Sequence, residues 1–478
     1  MSVAMSARKT LIKRWADSVA QERDGWIERN EFFYADDQAY MQFLVRPGLR
    51  VLEIGCGTGD LLNSLKPSFG VGIDFSAGML EVARGKYKHL HFIEGDVEDS
   101  KCIASLPAPF DVIVISDTIG LLDDCQGVIK SLHVLSTPET RIILCYYSRL
   151  WEPVISLGER LGQKMRQDSH SWLSTDDIKN LLYLCDFEFI KSEWRQILPK
   201  RWLGLGVLLN RYVGALPLIR KLCVRTYVVA RPKLAKPGPE PSVTVLIPCR
   251  NERGNIENAV KRLPQFGREQ EILFVEGHST DGTLDEIKRV IALYPDKDIK
   301  VLVQPGKGKG DAVRTGFANA RGDVLMILDA DLTVMPEALP RFFEALVSGK
   351  GEFVNGTRLV YPLEDKAMRV LNLFANRAFS EVFSWLLNQR FTDTLCGTKV
   401  LTRKHYEEIA NGRSYFGDFD PFGDFDLILG ASKLNLQIVE VPVRYQAREY
   451  GETQISRFRH GWMLLRMTLF AYRKLKAL

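Results

Sequence analysis

The chain has 478 residues, of which 46% are apolar, and its formal net charge is +5. This length and composition predict two globular domains and exclude a disordered or fibrous protein. The eight cysteines form no CxxC pair, which argues against a zinc or disulfide framework and favours reduced thiols in the cytoplasm. Because the sequence lacks an uncharged apolar run of about 18 residues, we expect no membrane-spanning helix.

A proline-rich segment, residues 232–241, divides the chain. Its four prolines and one glycine disfavour helical backbone and predict an extended spacer. Each side carries a complete strand–loop–helix pattern with its own glycine- or aspartate-marked loop. We therefore predict a first domain at 1–231, a second domain at 242–461, and a basic amphipathic helix at 462–478.

The first domain starts with a polar, amphipathic helical region at 8–47, which is followed by a glycine-rich loop between a short strand and a helix. Glycine in such a loop allows a tight turn and lets the backbone approach a ligand closely. Three later strands end in polar residues, which can hold the ribose of a nucleotide. The residues of the loop and of these strand ends are Glu53, Gly55, Gly57, Gly59, Asp74, Asp96, Val97, Ser116 and Asp117.

This ladder of motifs resembles a class I S-adenosylmethionine-dependent methyltransferase. The resemblance implies that the loop holds the methionine part of the cofactor, through Glu53, Gly55, Gly57 and Gly59. It also implies that Asp74 binds the ribose, that Asp96 and Val97 flank the adenine, and that Ser116 and Asp117 lie beside the methyl group. An NAD-binding Rossmann domain, which uses the same strand and turn, is the alternative.

The end of the first domain carries no motif that assigns a function. Residues 187–191 and 224–230 predict the last two strands of its sheet. The segment between them, 197–223, is apolar but punctuated by lysine and arginine. Two interpretations stay open: a helix on a membrane surface or over a lipid-linked acceptor, and a buried helical cap.

The second domain places polar motifs after a series of apolar strands. Pro248, Arg250 and Glu252 lie at the first strand end, Glu276 at the second, and a glycine–lysine loop with Lys309 after the third. Asp329 and Asp331 follow the fourth. Carboxylates at i and i+2 after a strand can hold one hard divalent cation, which would neutralise a departing diphosphate. The pattern therefore predicts Mg²⁺ or Mn²⁺ at this pair.

The second series resembles inverting glycosyltransferases of family 2, and among them the dolichyl-phosphate mannose and glucose synthases. The resemblance implies a GT-A fold and a nucleotide-diphosphate sugar as donor. Implied substrate contacts are Pro248, Arg250, Glu252 and Glu276 around the nucleoside and Lys309, Arg358 and Arg448 at phosphate. Asp393 and Asp426 lie in further segments that match the family, and either carboxylate could act as a base.

Together these patterns predict an α/β protein with two Rossmann-like domains, a class I methyltransferase sheet followed by a GT-A domain. We expect a bifunctional cytoplasmic enzyme that transfers a hexose to a polyprenyl phosphate or glycolipid during glycan assembly and also transfers methyl groups. Two alternatives are a sugar hydroxyl as acceptor, with Asp426 or Asp393 as base, and a first domain that only binds cofactor or docks a partner. The basic apolar segments suit a peripheral membrane contact, whereas no basic–aromatic patch favours nucleic acid. The oligomeric state stays open.

Overall fold

The computed structural model describes residues 6–166, 171–233, 238–358, 360, 370–416, 425–444, 450 and 457–477, with backbone alone at 370–377, 457–461 and 464. The chain divides into two compact units, Met1–Leu234 with Lys476–Leu478, and Ala235–Leu475. The division lies inside the predicted linker, 232–241. The last three residues group with the first unit, which the predicted division at 462 did not anticipate.

The first unit contains a seven-stranded sheet. Its strands are β1 (Arg50–Ile54), β2 (Phe69–Asp74), β3 (His91–Glu94), β4 (Val112–Ser116), β5 (Arg141–Tyr147), β6 (Phe187–Arg195) and β7 (Arg225–Pro232). Their order is β3-β2-β1-β4-β5-β7-β6. Strands β1 to β5 pair in parallel, and β7 runs antiparallel between β5 and β6. The two predicted last strands are confirmed as β6 and β7.

Helices cover this sheet and precede it. They are α1 (Ala7–Val19), α2 (Arg23–Arg29), α3 (Glu31–Leu44), α4 (Asp60–Ser64), α5 (Ala77–Lys86), α6 (Ser100–Ala104), α7 (Cys125–Ser131), α8 (Glu152–Arg160), α9 (Thr175–Leu184) and α10 (Leu205–Leu208). Strand β5 is buried along its whole length, as expected of a central strand with helices on both faces. The helical region predicted at 8–47 is confirmed in type, but it is divided into α1, α2 and α3.

The second unit also contains a seven-stranded sheet. Its strands are β8 (Val243–Cys249), β9 (Gln270–Glu276), β10 (Asp298–Val303), β11 (Val324–Ile327), β12 (Phe353–Thr357), β13 (Lys399–Thr402) and β14 (Ile438–Pro442). Their order is β10-β9-β8-β11-β13-β12-β14. Strands β8 to β11 pair in parallel, whereas β13 is antiparallel to both of its neighbours.

The helices of the second unit are α11 (Ile256–Arg262), α12 (Thr283–Leu293), α13 (Lys309–Asn319), α14 (Leu339–Val347), α15 (Val370–Leu387), α16 (Arg403–Asn411), α17 (Phe425–Lys433) and α18 (Arg457–Leu475). Helix α18 starts before the predicted position 462 and exposes Trp462, Leu465 and Leu469. Its Tyr472 contacts Trp385 of α15, with ring centroids 5.7 Å apart. Among the described helices, none is both long and apolar enough to cross a bilayer.

The two sheets share one topological feature that predicts where ligands bind. The strand order reverses beside the first strand of each sheet, between β1 and β4 in one and between β8 and β11 in the other. Loops that leave the carboxyl ends of parallel strands diverge at such a point and open a crevice. The predicted α/β class with two Rossmann-like sheets is therefore confirmed, and each sheet has one edge suited to a ligand.

Candidate active sites

A cavity opens at the carboxyl edge of the first sheet, where β1 and β4 diverge. Seven of the eight residues predicted to bind the cofactor line it: Glu53, Gly55, Gly57, Asp74, Asp96, Val97 and Ser116. Asp117 lines it as well. The eighth residue, Gly59, precedes α4 and packs beside Phe92, whose Cζ would lie 2.8 Å from a Cβ at this position.

The glycine-rich loop combines one position limited by packing with one open position. A Cβ on Gly55 would lie 2.7 Å from the Thr118 Cγ2 atom, so packing excludes a larger residue there. Gly57 has a φ of 50°, and a Cβ added to it would have no other atom within 4 Å. Because Gly57 faces open space, its backbone can be approached closely by a ligand.

Two acids hold this loop in place. The Gly57 and Ser76 N–H groups each donate to Asp74, at 2.9 Å in both cases. Burial raises the pKa of Asp74, and these backbone hydrogen bonds oppose that rise. Glu53 is buried and accepts the Leu62 N–H at 3.0 Å, while its burial raises its pKa well above the usual value. Glu53 therefore joins β1 to the first turn of α4.

The second site lies at the carboxyl edge of β8, β9 and β11. Asp329 and Asp331 follow β11, and the Lys309 Nζ atom is 2.6 Å from the Asp329 Oδ1 atom. The Thr333 hydroxyl and N–H donate to the Asp331 Oδ1 atom at 2.8 and 3.2 Å. Burial opposes ionisation of Asp329, but Lys309 and the more distant Lys399 and Arg358 lower its pKa. The carboxylate form is therefore favoured.

The donor set at this edge suits a small divalent cation. Across the described residues, no group of three or more Asp, Glu, His or Cys side chains gathers for a metal. Mg²⁺ is commonly bound by one or two carboxylates, with substrate phosphates and water completing an octahedron. The pair Asp329 and Asp331 fits that pattern and does not fit an ion that needs an all-protein cage.

The residues predicted to surround the nucleoside lie at the ends of β8 and β9. Pro248 is in β8, and Arg250 follows that strand with an exposed side chain. Glu252 is buried and accepts a hydrogen bond from the Asn255 Nδ2 atom at 2.7 Å. Glu276, the last residue of β9, accepts the N–H groups of the next turn at 2.5 and 3.1 Å. Arg448 lies outside the described residues.

Comparison with known proteins identifies both halves. A family model described as a methyltransferase domain matches residues 46–199, and one described as glycosyl transferase family 2 matches residues 244–409. The chain carries a methyltransferase domain followed by a family 2 glycosyltransferase domain. The two families predicted from the motifs are thereby confirmed.

Individual relatives cover parts of the chain. Glycosyltransferase AglJ of Haloferax volcanii is 27% identical over 50% of this chain and 74% of its own length. The dolichol-phosphate mannosyltransferase of Pyrococcus furiosus is 37% identical over 25% of this chain, which spans only 33% of that protein. Among solved structures, an S-adenosylmethionine-dependent methyltransferase from Thermotoga maritima is 18% identical with a TM-score of 0.36, covering 47% of this chain and all of that one.

The methyltransferase domain contains site residues that the motifs did not reveal, beginning with Lys9 of α1. The Lys9 Nζ atom is 2.6 Å from the Asp96 Oδ2 atom and also pairs with Glu98. Lys9 lies on the same buried face of α1 as Ile12 and Ala16. The sequence feature that could have revealed Lys9 is its position on the apolar face of an amphipathic helix.

A second unpredicted group surrounds Arg225 of β7, which is 1% exposed. Its Nε atom is 3.0 Å from the Asp37 Oδ1 atom, and its Nη1 atom pairs with Asp117. Burial alone would lower the pKa of Arg225, but Asp117 and Asp37 raise it well above the usual value. The signal in the sequence was an arginine at the start of β7, just before the apolar run Tyr227–Ala230. The pair fixes Asp117 at the wall of the cavity.

In the glycosyltransferase domain, the segment around Asp393 packs against the Asp329 carboxylate. A Cβ on Gly397 would lie 2.6 Å from both the Asp329 Cγ atom and the Lys309 Nζ atom. Gly397 belongs to a segment whose sequence matches the glycosyltransferase family, but that match did not reveal the contact with Asp329. The small residue lets the segment approach the acidic pair closely.

The predicted phosphate contact Arg358 and the predicted base Asp393 form a buried pair. Arg358 Nε and Nη2 donate to the two Asp393 oxygens at 2.6 and 2.7 Å. Burial opposes ionisation of Asp393, but Arg358 lowers its pKa. The other predicted base, Asp426, accepts a hydrogen bond from Arg413 Nε at 2.9 Å. Both candidate bases are thus engaged with arginine.

Proposed function

We propose that the glycosyltransferase domain transfers a hexose from a nucleotide-diphosphate sugar to a polyprenyl phosphate, and that the methyltransferase domain uses S-adenosylmethionine. The observation that carries this proposal is the pair Asp329 and Asp331 beside Lys309, at the edge where β8 and β11 diverge. The likeness to a dolichol-phosphate mannosyltransferase supports the choice of acceptor.

The donor would bind at this edge through its diphosphate. Asp329 and Asp331 would hold Mg²⁺ or Mn²⁺, which supplies charge neutralisation at a leaving diphosphate. Lys309 adds a positive charge at the same place, since it begins α13 and reaches Asp329. Pro248, Arg250, Glu252 and Glu276 would surround the nucleoside at the adjoining strand ends. Charge stabilisation of this kind is commonly a large catalytic contribution.

A phosphate acceptor is favoured over a sugar hydroxyl by the state of the two candidate bases. Attack by a hydroxyl needs a group that removes a proton, whereas a phosphate is already anionic. Asp393 has both oxygens bound by Arg358, and Asp426 is bound by Arg413. Both carboxylates are therefore engaged with arginine, which disfavours each of them as a general base. The hydroxyl route is kept as the second candidate, with Asp426 as its base.

The methyltransferase domain would bind its cofactor along the lined cavity. Asp74 would hold the ribose, Asp96 and Val97 the adenine, and Ser116 with Asp117 would lie near the methyl group. Arg23 also lines the cavity, and its hydrogen-bond partner among the described residues is the Tyr34 hydroxyl, at 3.1 Å. A guanidinium that lines a cavity and donates to a phenol suits an anionic group on the methyl acceptor, although the nearby Asp117 carboxylate also attracts it.

The transferase proposal is tested by incubating the full chain with a panel of nucleotide sugars, Mn²⁺ or Mg²⁺, and short polyprenyl phosphates. Mass analysis of the organic phase should detect a hexosyl polyprenyl phosphate that disappears with a chelator and returns when metal is restored. Product that forms only with a free sugar as acceptor would establish the hydroxyl route instead.

The cofactor proposal is tested by calorimetry with S-adenosylmethionine and with NAD. The wild type should bind the former, and Asp74→Ala should abolish binding while Asp331→Asn leaves it unchanged. Tight binding of NAD without a response to S-adenosylmethionine would contradict the assignment.

A further inference from the structure

Two stretches of the methyltransferase domain expose large apolar side chains. In residues 200–222, exposure is 50% or more at Trp202, Leu203, Leu205, Leu208, Leu218 and Leu222. On α8 and its flanks, Leu150, Val154, Leu157 and Leu161 are 54% to 65% exposed. The Trp151 Nε1 atom donates to the Leu222 carbonyl at 2.7 Å, so the two stretches touch. We call these two stretches the apolar surface.

The exposure argues against the buried cap that was one interpretation of this segment. A cap would bury Leu203 and Leu218, which are 111% and 90% exposed. Single exposed leucines are ordinary on protein surfaces, but many exposed apolar side chains on two stretches that touch are typical of a binding surface.

The tip of the apolar surface has an unusual backbone. Trp202, Leu203 and Gly204 have φ values of 36°, 51° and 94°, which all lie in the left-handed region. Large side chains seldom adopt this region, because the Cβ atom crowds the carbonyl oxygen. Backbone strain of this kind persists only where the surroundings impose it, and it concentrates at functional sites. Here it holds two large apolar side chains in solvent.

The inner side of the same segment is firmly attached to the domain. The Asn210 side chain bonds both the N–H and the carbonyl of Leu198, at 2.9 and 3.0 Å. Lys200 Nζ donates to the Asn30 Oδ1 atom at 3.0 Å. A Cβ on Gly206 would lie 3.1 Å from the Lys200 carbonyl carbon. The polar contacts thus face inward, and the apolar side chains are presented outward on a fixed scaffold.

The charge of the segment selects the partner. Residues 200–222 contain Lys200, Arg201, Arg211, Arg220 and Lys221, and no acidic residue. Exposed apolar side chains interleaved with basic ones are the composition of a surface that lies in the headgroup region of an anionic membrane. We propose that the apolar surface docks onto a bilayer that contains anionic lipids. A second copy of the chain that docked through residues 200–222 is disfavoured, because the basic residues of the two segments would repel each other.

Docking in this way would also serve the methyl acceptor. Lys164 and Met165, which follow α8 and its flank, line the methyltransferase cavity. An acceptor whose tail lies in the bilayer could therefore present its headgroup to the cavity without leaving the membrane. This second step rests on the proposed methyltransferase function, whereas the docking itself does not.

The test is flotation of the full chain with vesicles, without S-adenosylmethionine or sugar donor, so that it does not depend on either activity. Vesicles of phosphatidylcholine with phosphatidylglycerol should carry the protein, and vesicles of phosphatidylcholine alone should carry much less. The double change Trp202→Ser and Leu203→Ser should reduce partitioning at least about tenfold, since the removed side chains supply the apolar contact. Val134→Ser, at a side chain 65% exposed elsewhere in the domain, is the matched control and should bind as the wild type does.

A second pair of changes tests the charge. Arg201→Gln with Lys221→Gln should lower binding to anionic vesicles by roughly fivefold per residue, and should hardly change binding to phosphatidylcholine alone. Absence of flotation, or equal flotation of the Trp202→Ser and Leu203→Ser variant, overturns the proposal. A second result would also overturn it: the wild type forms a concentration-dependent dimer in sedimentation, this variant does not, and vesicles carry neither protein.

Discussion

Replacement of Gly397 by alanine should disable sugar transfer without unfolding the glycosyltransferase domain. The new Cβ would lie 2.6 Å from the Asp329 Cγ atom and 2.6 Å from the Lys309 Nζ atom. Carbon atoms in contact prefer a separation of about 3.5 to 4.0 Å, so the carboxyl group must retreat by about 1 Å. Displacement of a catalytic group by this distance can reduce turnover roughly 100-fold, which corresponds to about 2.7 kcal/mol in the activation free energy.

The fold should tolerate this change because the clash involves the ends of two side chains. The φ of Gly397 lies outside the left-handed region, so alanine fits its backbone, and we expect a loss of only about 1 kcal/mol in the free energy of unfolding. Gly412→Ala is the matched control, since its Cβ would meet the Glu408 carbonyl oxygen at an ordinary 3.4 Å. Initial rates with a labelled nucleotide sugar measure the effect. If Gly397→Ala kept more than about a third of the wild-type rate while folded, the placement of Asp329 by this segment would be refuted.

Three further changes probe other parts of the structure. Asp331→Asn, nearly isosteric, should reduce sugar transfer by roughly 100-fold or more and leave the circular dichroism spectrum and S-adenosylmethionine affinity unchanged; a fully active variant would remove Asp331 from the metal site. Glu271 is buried, which opposes its ionisation, but Thr244, Arg321 and Lys300 lower its pKa to about 2. The contribution of Glu271 to the free energy of unfolding is therefore complete above about pH 4.5 and is lost as the pH falls towards 2. In denaturant titrations, Glu271→Gln should lower the free energy of unfolding by about 2 kcal/mol above pH 4.5 and should remove this part of its dependence on pH. A variant whose free energy of unfolding depends on pH as the wild type's does would contradict this. Asp37→Asn leaves Arg225 with one carboxylate and should destabilise the methyltransferase domain by about 3 kcal/mol. The control Asp123→Asn, at an exposed pair with Arg8, should lower the free energy of unfolding by less than about 1 kcal/mol. Equal losses in the two variants would refute the greater importance of the buried pair.

Local patterns were sufficient to predict both families and the edge of each sheet where a ligand would bind. The glycine-rich loop and the acidic pair each lie within a few residues of a strand end. The carboxyl ends of parallel strands meet at one edge of the sheet, so these motifs predict that edge as the binding site. Asp74 and Asp329 are examples, because Asp74 ends the apolar strand β2 and Asp329 follows the apolar strand β11. Their contacts with a cofactor or a metal stay predictions.

Contacts between distant segments could not be predicted in this way. Lys9 and Asp96 are 87 residues apart, and Asp37 and Arg225 are 188 residues apart. The periodicity of α1 shows that Lys9 is on an apolar face, but no local rule states which acid lies opposite. The exposed tip at Trp202 and Leu203 was equally inaccessible, since it depends on backbone angles that these residue types rarely adopt.

The same limit explains why Arg358 and Asp393 were given separate roles from their motifs. Each lies in a segment that matches the family, so each was assigned alone, to phosphate and to proton transfer. In the fold they form a bidentate pair, with Arg358 9% exposed and Asp393 fully buried. Breaking such a pair leaves an uncompensated buried charge, which is strongly destabilising. The pair therefore stabilises the segment that ends at Gly397. In this way it keeps the segment against Asp329, where the donor would bind.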